Sequence, residues 1–389
     1  MTAIAAAAPG IRPSTRHAIR TQFFCAGFMF ATWGVHIPTV KGIYGITEGD
    51  LGLALLAAGI GSLLGLSQAG RVIGRFGPRR LVLVCGVLST VALASLLSLP
   101  SFIALIAALF GFGIVGGVFD VAINAEASHI EGLEGRPLMS GFHGMFSLGG
   151  MAGAGVGAWM LNAGVAPVAH IVGASLALAL TIAGASTCML KTPPSAGAHS
   201  SFQWPRGVLL LLGAMAGLGL IAEGAMYDWS VLYLNTALGA SQGVAALAYA
   251  SFSAAMAATR FGGDALRRRF PPATLLRASG LLAAAAMAVV LLAGHWAIAL
   301  VGFALVGVGF ANIVPVLFSA AGSMPGHNPA HAIAAVSSIG YMGFMCGPPL
   351  IGFVAQHTSL STALWLVVGF ACVLAATSAK VPGGLQKST

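Results

Sequence analysis

Asp120 and Asn124 stand four residues apart in an apolar stretch, so a helix there sets both side chains along one face. A carboxylate beside an amide in a low-dielectric cavity can take up and release a proton. Glu223 lies in a second apolar stretch, beside Gly219 and Gly224, which leave room for a cavity or a tight helix crossing. Asp228 and Trp229 follow one to two turns later. Glu126 and His143 sit at the facing ends of two neighbouring apolar stretches, where they can meet as a carboxylate–imidazole pair that titrates near neutral pH. Asp120, Glu223, Glu126 and His143 are therefore the candidates for proton handling. Plainer roles compete with these. Asp120 can tie helices together by hydrogen bonding, Asp228 can cap a helix end in water, and Glu126 can pair with an arginine at a membrane surface.

Rings and amides nearby can hold a solute. Asn124, Trp33, Tyr227, Asp228, Trp229, Asn312 and Tyr341 form the candidate binding set, with Tyr249 and Gln68 of the same chemical types. Aromatic faces suit the apolar face of a sugar ring, and amides suit its hydroxyls. Trp and Tyr also anchor helices at headgroup level, which is the competing role.

What must position these residues is a set of membrane helices. The chain of 389 residues is 58% hydrophobic and only 7% charged, too little charge to hydrate a soluble surface. It has nine acidic residues, and an ionised one at the bilayer centre costs about 2.5–3.5 kcal/mol on the insertion scale. Apolar runs long enough to span the hydrocarbon recur at 18–40, 50–70, 81–99, 102–126, 138–162, 167–190, 207–234, 242–265, 273–294, 297–322, 331–356 and 359–379. The fold expected is all-α, with twelve transmembrane helices in two six-helix bundles, 1–190 and 207–389. The polar, Pro/Ser-rich segment 191–206 links them.

The net charge of +9 does not mark a nucleic-acid binder, because of where the cations fall. Arg12, Arg16, Arg20, Arg71, Arg75, Arg79, Arg80, Arg136, Lys191, Arg206, Arg260, Arg267, Arg268, Arg269, Arg277, Lys380 and Lys387 all lie on one side of a twelve-span chain. Lys41 lies on the other. The positive-inside rule then places both termini and the link in the cytoplasm. The first apolar run is too long for a signal peptide, so no cleavable leader is expected. Cys25, Cys85, Cys188, Cys346 and Cys372 show no paired spacing and read as packing residues. His36, His129, His170, His295, His327, His331 and His357 lie mostly near span ends without metal-ligand spacing. No metal or cofactor is expected.

The two halves repeat. Residues 70–89 align without gaps on 264–283, matching Arg75 with Arg269, Phe76 with Phe270, Pro78 with Pro272, Leu81 with Leu275 and Gly86 with Gly280. Gly111, Phe112, Gly116 and Phe119 fall over Gly302, Phe303, Gly307 and Phe310, and Trp33 over Trp229. Such matches at nearly one offset point to a duplicated six-helix unit.

With these features the chain resembles the major facilitator superfamily over essentially its full length. The loop after the second span carries Gly70, Gly74-Arg75, Gly77 and Arg79-Arg80 in the register of that family's basic motif. Gly74 departs from it, because the family usually places Asp there. The resemblance implies that Gly70, Gly74, Arg75, Gly77, Arg79, Arg80 and Arg269 belong to the gating machinery. The missing acid would weaken a cytoplasmic latch and favour an inward-open resting state. The glycine-rich fifth span (Gly141, Gly144, Gly149, Gly150, Gly153, Gly155, Gly157) and the eleventh (Gly340, Gly343, Gly347, before Pro348-Pro349) look like gating helices by the same resemblance. Tight packing would account for them equally well.

Asp120–Asn124 and Glu223–Trp229 are similar to short motifs of the fucose:proton symporter branch, although the stretch from Trp33 to Pro38 lacks that branch's first-span acid. The stretch from Asp120 to Gly157 resembles poorly defined bacterial inner-membrane permeases. No phosphate loop follows Gly113, Gly116 and Gly117, so transport is expected to run on ion gradients. The expectation is a non-enzymatic, monomeric, proton-coupled carrier of a small polar solute, sugar-like or a sugar acid. Proton-driven export of amphipathic compounds, and a non-transporting receptor or scaffold, are the alternatives.

Overall fold

The computed structural model describes residues 12–134, 138–190, 206–324 and 329–382. The link at 191–205, with Lys191, lies outside the described residues, as do Arg136, His327 and Lys387. The side chains of Asp264 and His331 lie outside them too. Every long element is a helix: α1 (Pro13–Tyr44), α2 (Glu48–Phe76), α3 (Pro78–Ser95), α4 (Phe102–Glu134), α5 (Met139–Asn162) and α6 (Pro167–Thr187) in the first half. The second half has α7 (Val208–Thr236), α8 (Gln242–Arg269), α9 (Pro272–Ala293), α10 (Trp296–Phe310), α11 (Ile313–Gly322), α12 (Pro329–His357) and α13 (Leu360–Thr377). Helices α10 and α11 together make one span, so among the described residues twelve spans are long and apolar enough to cross a bilayer.

Local chemistry sets the helix ends. Proline occupies the first turn of α1, α3, α6 and α9, where the missing N–H costs nothing. Thr47 and Asp50 form a reciprocal capping box on α2, and Ser241 and Ser359 cap α8 and α13. Gly77, at φ +78°, makes the sharp corner between α2 and α3. The tenth span breaks at Ala311-Asn312, contrary to the single helix read from sequence. Pro315 has no N–H for the Ala311 carbonyl, so the helix restarts at Ile313.

The halves are pseudo-symmetric. In the first, α1 packs on α5, α2 on α4 and α3 on α6; in the second, α7 packs on α12, α8 on α10 and α9 on α13. Corresponding corners match in detail, with Arg75 stacked over Phe76 and Arg269 over Phe270. In lipid no hydrophobic force draws helices together, so close backbone approach between small residues does the packing. Gly61 and Gly65 of α2 lie against the Phe110 and Ile114 carbonyls, while Gly113 and Gly117 of α4 lie against those of Ala58 and Ser62. Overfilling such a seam costs about 1–3 kcal/mol. Gly113→Leu will therefore lower the thermal unfolding midpoint in detergent. Gly111→Leu will leave it unmoved, because nothing lies within 4 Å of that position. Equal effects at the two sites would remove the packing account.

The halves close on each other at the end away from the termini. There Gly49 meets Gln356, Gly52 meets Pro348 and Pro349, and Gly59 meets Met345, so 48–59 of α2 lies along 345–356 of α12. Nearer the termini, Leu63 and Leu64 of α2 and Tyr341 and Met342 of α12 are exposed. Helices α5 and α8 stay in contact farther toward that end, as far as Gly144 and Phe261.

Candidate functional site

Glu223 and Tyr227 are one turn apart on α7, so they share a face, and that face meets α8. Arg260 of α8 reaches across: its Nη2 lies 3.1 Å from Glu223 Oε1, with both side chains largely buried. The Tyr227 hydroxyl donates to the same oxygen at 3.3 Å. Arg260 Nη1 donates to Ser147 Oγ of α5 at 3.0 Å. A single guanidinium therefore joins an acid of the second half to a hydroxyl of the first. The crossing depends on small residues. Gly150 faces Tyr249 and Ser253 of α8, and Gly34 of α1 leaves room for the Tyr249 ring and the Tyr227 carbonyl. Tyr227 and Tyr249 stand 5.0 Å apart between ring centres, with Phe252 edge-on to Tyr227 at 5.2 Å.

On α4, Asn124 Nδ2 donates to the Asp120 carbonyl at 2.9 Å and to its Oδ1 at 3.2 Å. Asp120, Asn124, Tyr227 and Asp228 are only half-buried although they lie well inside their helices. Tyr341 of α12 is 45% exposed and within electrostatic reach of both Asp120 and Glu223. Tyr249 in turn senses Asp228 and Glu223. Side chains of α4, α7, α8 and α12 are thus within electrostatic reach of one another, with Asp120, Asn124, Tyr227, Asp228 and Tyr341 at least partly accessible. The group brings together the carboxylates of Asp120, Glu223 and Asp228 and the guanidinium of Arg260.

Other sequence candidates lie elsewhere. Among the described residues Glu126 meets neither His143 nor an arginine. Its Oε1 accepts the Leu190 N–H at 2.9 Å just beyond α6, and its Oε2 is buried without a hydrogen bond. His143 packs edge-on to Phe23, within electrostatic reach of Arg260. The acid on α4 that takes an arginine is Glu134, 3.1 Å from Arg16. Trp33 and Trp229 are buried in the core, joining neither that group nor a headgroup region, and Trp229 packs on Gly352. Asn312 is buried against Gly263 of α8. Gln68 is exposed and accepts from Arg71 at 2.9 Å. Gly70, Gly74, Arg75, Gly77, Arg79 and Arg80 cluster around the α2–α3 corner, and Arg269 sits at the equivalent α8–α9 corner.

Reading from sequence missed the central role of Arg260, which it grouped with the loop cations that follow α8. The signal was present: Arg260 falls seven residues before the Arg267–Arg269 triplet, inside the apolar run 242–265. It also missed the contact of His36 with His170, whose rings lie 5.0 Å apart. Two apolar grooves lie away from the carboxylates. One groove lies between α9 and α10, and another between α1, α5 and α6.

Comparison with known proteins agrees with this architecture. Residues 21–327 match the family model described as Major Facilitator Superfamily. An uncharacterized MFS-type transporter of Yersinia pestis is 34% identical over 373 residues, covering 96% of this chain and 97% of the relative. Among solved structures, the D-xylose-proton symporter superposes with a TM-score of 0.77 at 15% identity, over 97% of this chain and 99% of the other. The transporter FucP in its outward conformation gives 0.63 at 16% identity, over 94% and 98%.

Proposed function

The chain belongs to the major facilitator superfamily, and on that premise we propose that it is a proton-coupled secondary transporter of a small polar solute, sugar-like or a sugar acid, in the bacterial inner membrane. The observation that carries this reading is the buried Glu223–Arg260–Ser147 bridge. A buried ion pair is stable only while both charges are matched. Protonating Glu223 leaves Arg260 without its counter-charge, and the same guanidinium holds the contact between the halves. Proton binding and the relative position of the halves then depend on one side chain. The solute sits in the space bordered by Asp120, Asn124, Tyr227, Asp228 and Tyr341, whose hydroxyl, amide and carboxylate groups suit a polyol.

The cation distribution puts the termini in the cytoplasm, so the closed end faces outside. On that orientation the arrangement is open toward the cytoplasm, and Gly74 in place of an acid is expected to favour the same state at rest. A single cysteine at Ser200, in an otherwise cysteine-free chain, will be protected from an impermeant thiol reagent added outside intact cells. Labelling there would reverse the orientation.

The function is tested with purified protein in liposomes. A thermal-stabilisation screen of sugars and sugar acids selects the solute, and uptake is then followed under an imposed pH gradient. Accumulation above the outside concentration, collapsed by a protonophore, is expected. Equilibration that ignores the gradient would contradict proton coupling, and neither stabilisation nor uptake of any such solute would contradict the solute class.

A further inference from the structure

A second buried pair of titratable side chains lies at the closed end, apart from the carboxylates. His36 of α1 and His170 of α6 are both fully buried, with Nε2 of the first 2.8 Å from Nδ1 of the second. Only one hydrogen fits between these nitrogens, so one of them is bare and the pair cannot be fully protonated while in contact. His36 Nδ1 faces Thr39 Oγ1 at 3.5 Å. Gln242, the first residue of α8 in the other half, donates to Thr39 Oγ1 and, at 3.1 Å, to the Val35 carbonyl. Pro38 withholds its N–H from this turn of α1 and loosens it where Gln242 docks. A chain Gln242–Thr39–His36–His170 thus runs from one half into the interior of the other. His170 Nε2 at its far end is buried with no hydrogen-bond partner among the described residues.

Among the described residues nothing nearby neutralises a charge on either ring. Lys41 of α1 is paired with Glu48 of α2 at 2.9 Å. On α5 the acids and bases are limited to His143, near the opposite end, and on α6 to His170 itself. Tyr249 of α8 faces the α7 cluster of Tyr227, Glu223 and Asp228, and Arg260 is taken by Glu223. The electrostatic partner of His36 is His170.

We propose that the His36–His170 pair is a protonation site separate from the central carboxylates, taking its proton from the compartment that the closed end faces and thereby releasing that end to open. An added proton places an imidazolium in a buried site without a counter-ion, which is costly unless water reaches it. Opening the end between α1 and α8 admits that water. A doubly protonated His36 donates from Nδ1 toward Thr39 Oγ1, the same hydroxyl that accepts from Gln242. The proposal goes beyond the assignment of Glu223 and rests only on the two halves separating at this end.

The test uses the full chain in lipid nanodiscs, cysteine-free except for spin labels at Ala163 and Ala237, exposed turn positions of the two halves at this end. Interspin distances are measured from pH 8 to pH 5. The long-distance population is expected to rise on acidification, by at most about tenfold per pH unit for one coupled proton. His36→Gln and His170→Gln should flatten the response, whereas His357→Gln, at an exposed histidine of the same end, should keep it. Gln242→Ala should raise the long-distance population already at pH 8 and shallow the response, and it decides the matter if the histidine variants do not fold. An unresponsive wild type overturns the proposal. So does a response that survives both histidine substitutions. An unchanged response in Gln242→Ala also overturns it. The readout is a distance and requires no solute.

Discussion

Arg260→Met is expected to destabilise the protein by about 3–5 kcal/mol, because it leaves the Glu223 carboxylate buried without its cation. Glu223→Gln should cost a comparable amount for the converse reason, a guanidinium left without its anion. The double variant Glu223→Gln/Arg260→Met buries no unpaired charge and should recover most of the loss. The coupling is thus expected at the upper end of the range for contacting residues or above it, at about 3 kcal/mol or more. It is read from thermal unfolding of the four proteins in one detergent. Magnitude separates this pair from Lys41–Glu48, whose side chains are each 25% exposed and whose loss should cost about 0–1 kcal/mol. Additive single effects at Glu223 and Arg260 would mean that the pair does not hold the halves as described.

The second large effect is on transport. Moving one charge through 100 mV supplies about 2.3 kcal/mol, enough for an accumulation of about fiftyfold per coupled proton. Glu223→Gln holds that position in a fixed neutral form and should bring accumulation down to equilibrium. Gradient-free exchange should persist, because the solute-facing groups of α4 and α12 are untouched. Asp120→Asn tests whether the second carboxylate also couples. If it does, accumulation falls and exchange survives; if it binds solute, both fall. Wild-type accumulation by both variants at normal protein levels would exclude Asp120 and Glu223 from the mechanism.

The membrane fold was legible because its causes are local. Span length, helix-starting prolines and glycine spacing are written consecutively, and the duplication could be read from the Arg75 and Arg269 corners before any coordinates. Glu223, Tyr227, Asp228, Asp120 and Asn124 stood out because polar groups in apolar runs are costly and few. Partnerships were harder to read, because they depend on which helices pack. Glu126 and His143 are near in sequence order yet find Leu190 and Phe23 instead. Arg260 was absorbed into the loop cations, although the packing of α5 on α8 brings it to Ser147. Trp33 and Trp229 share a repeat position but point into the core, a direction that one sequence position does not reveal.

Proton movement tied to solute movement through Glu223 is the claim on which the rest depends. Liposomes carrying a trapped pH indicator, with no imposed gradient, measure it directly when solute is added outside. The wild type should acidify the lumen as solute enters, while Glu223→Gln still exchanges solute and leaves the lumen pH unchanged. No acidification by the wild type, or undiminished acidification by Glu223→Gln, would contradict the account.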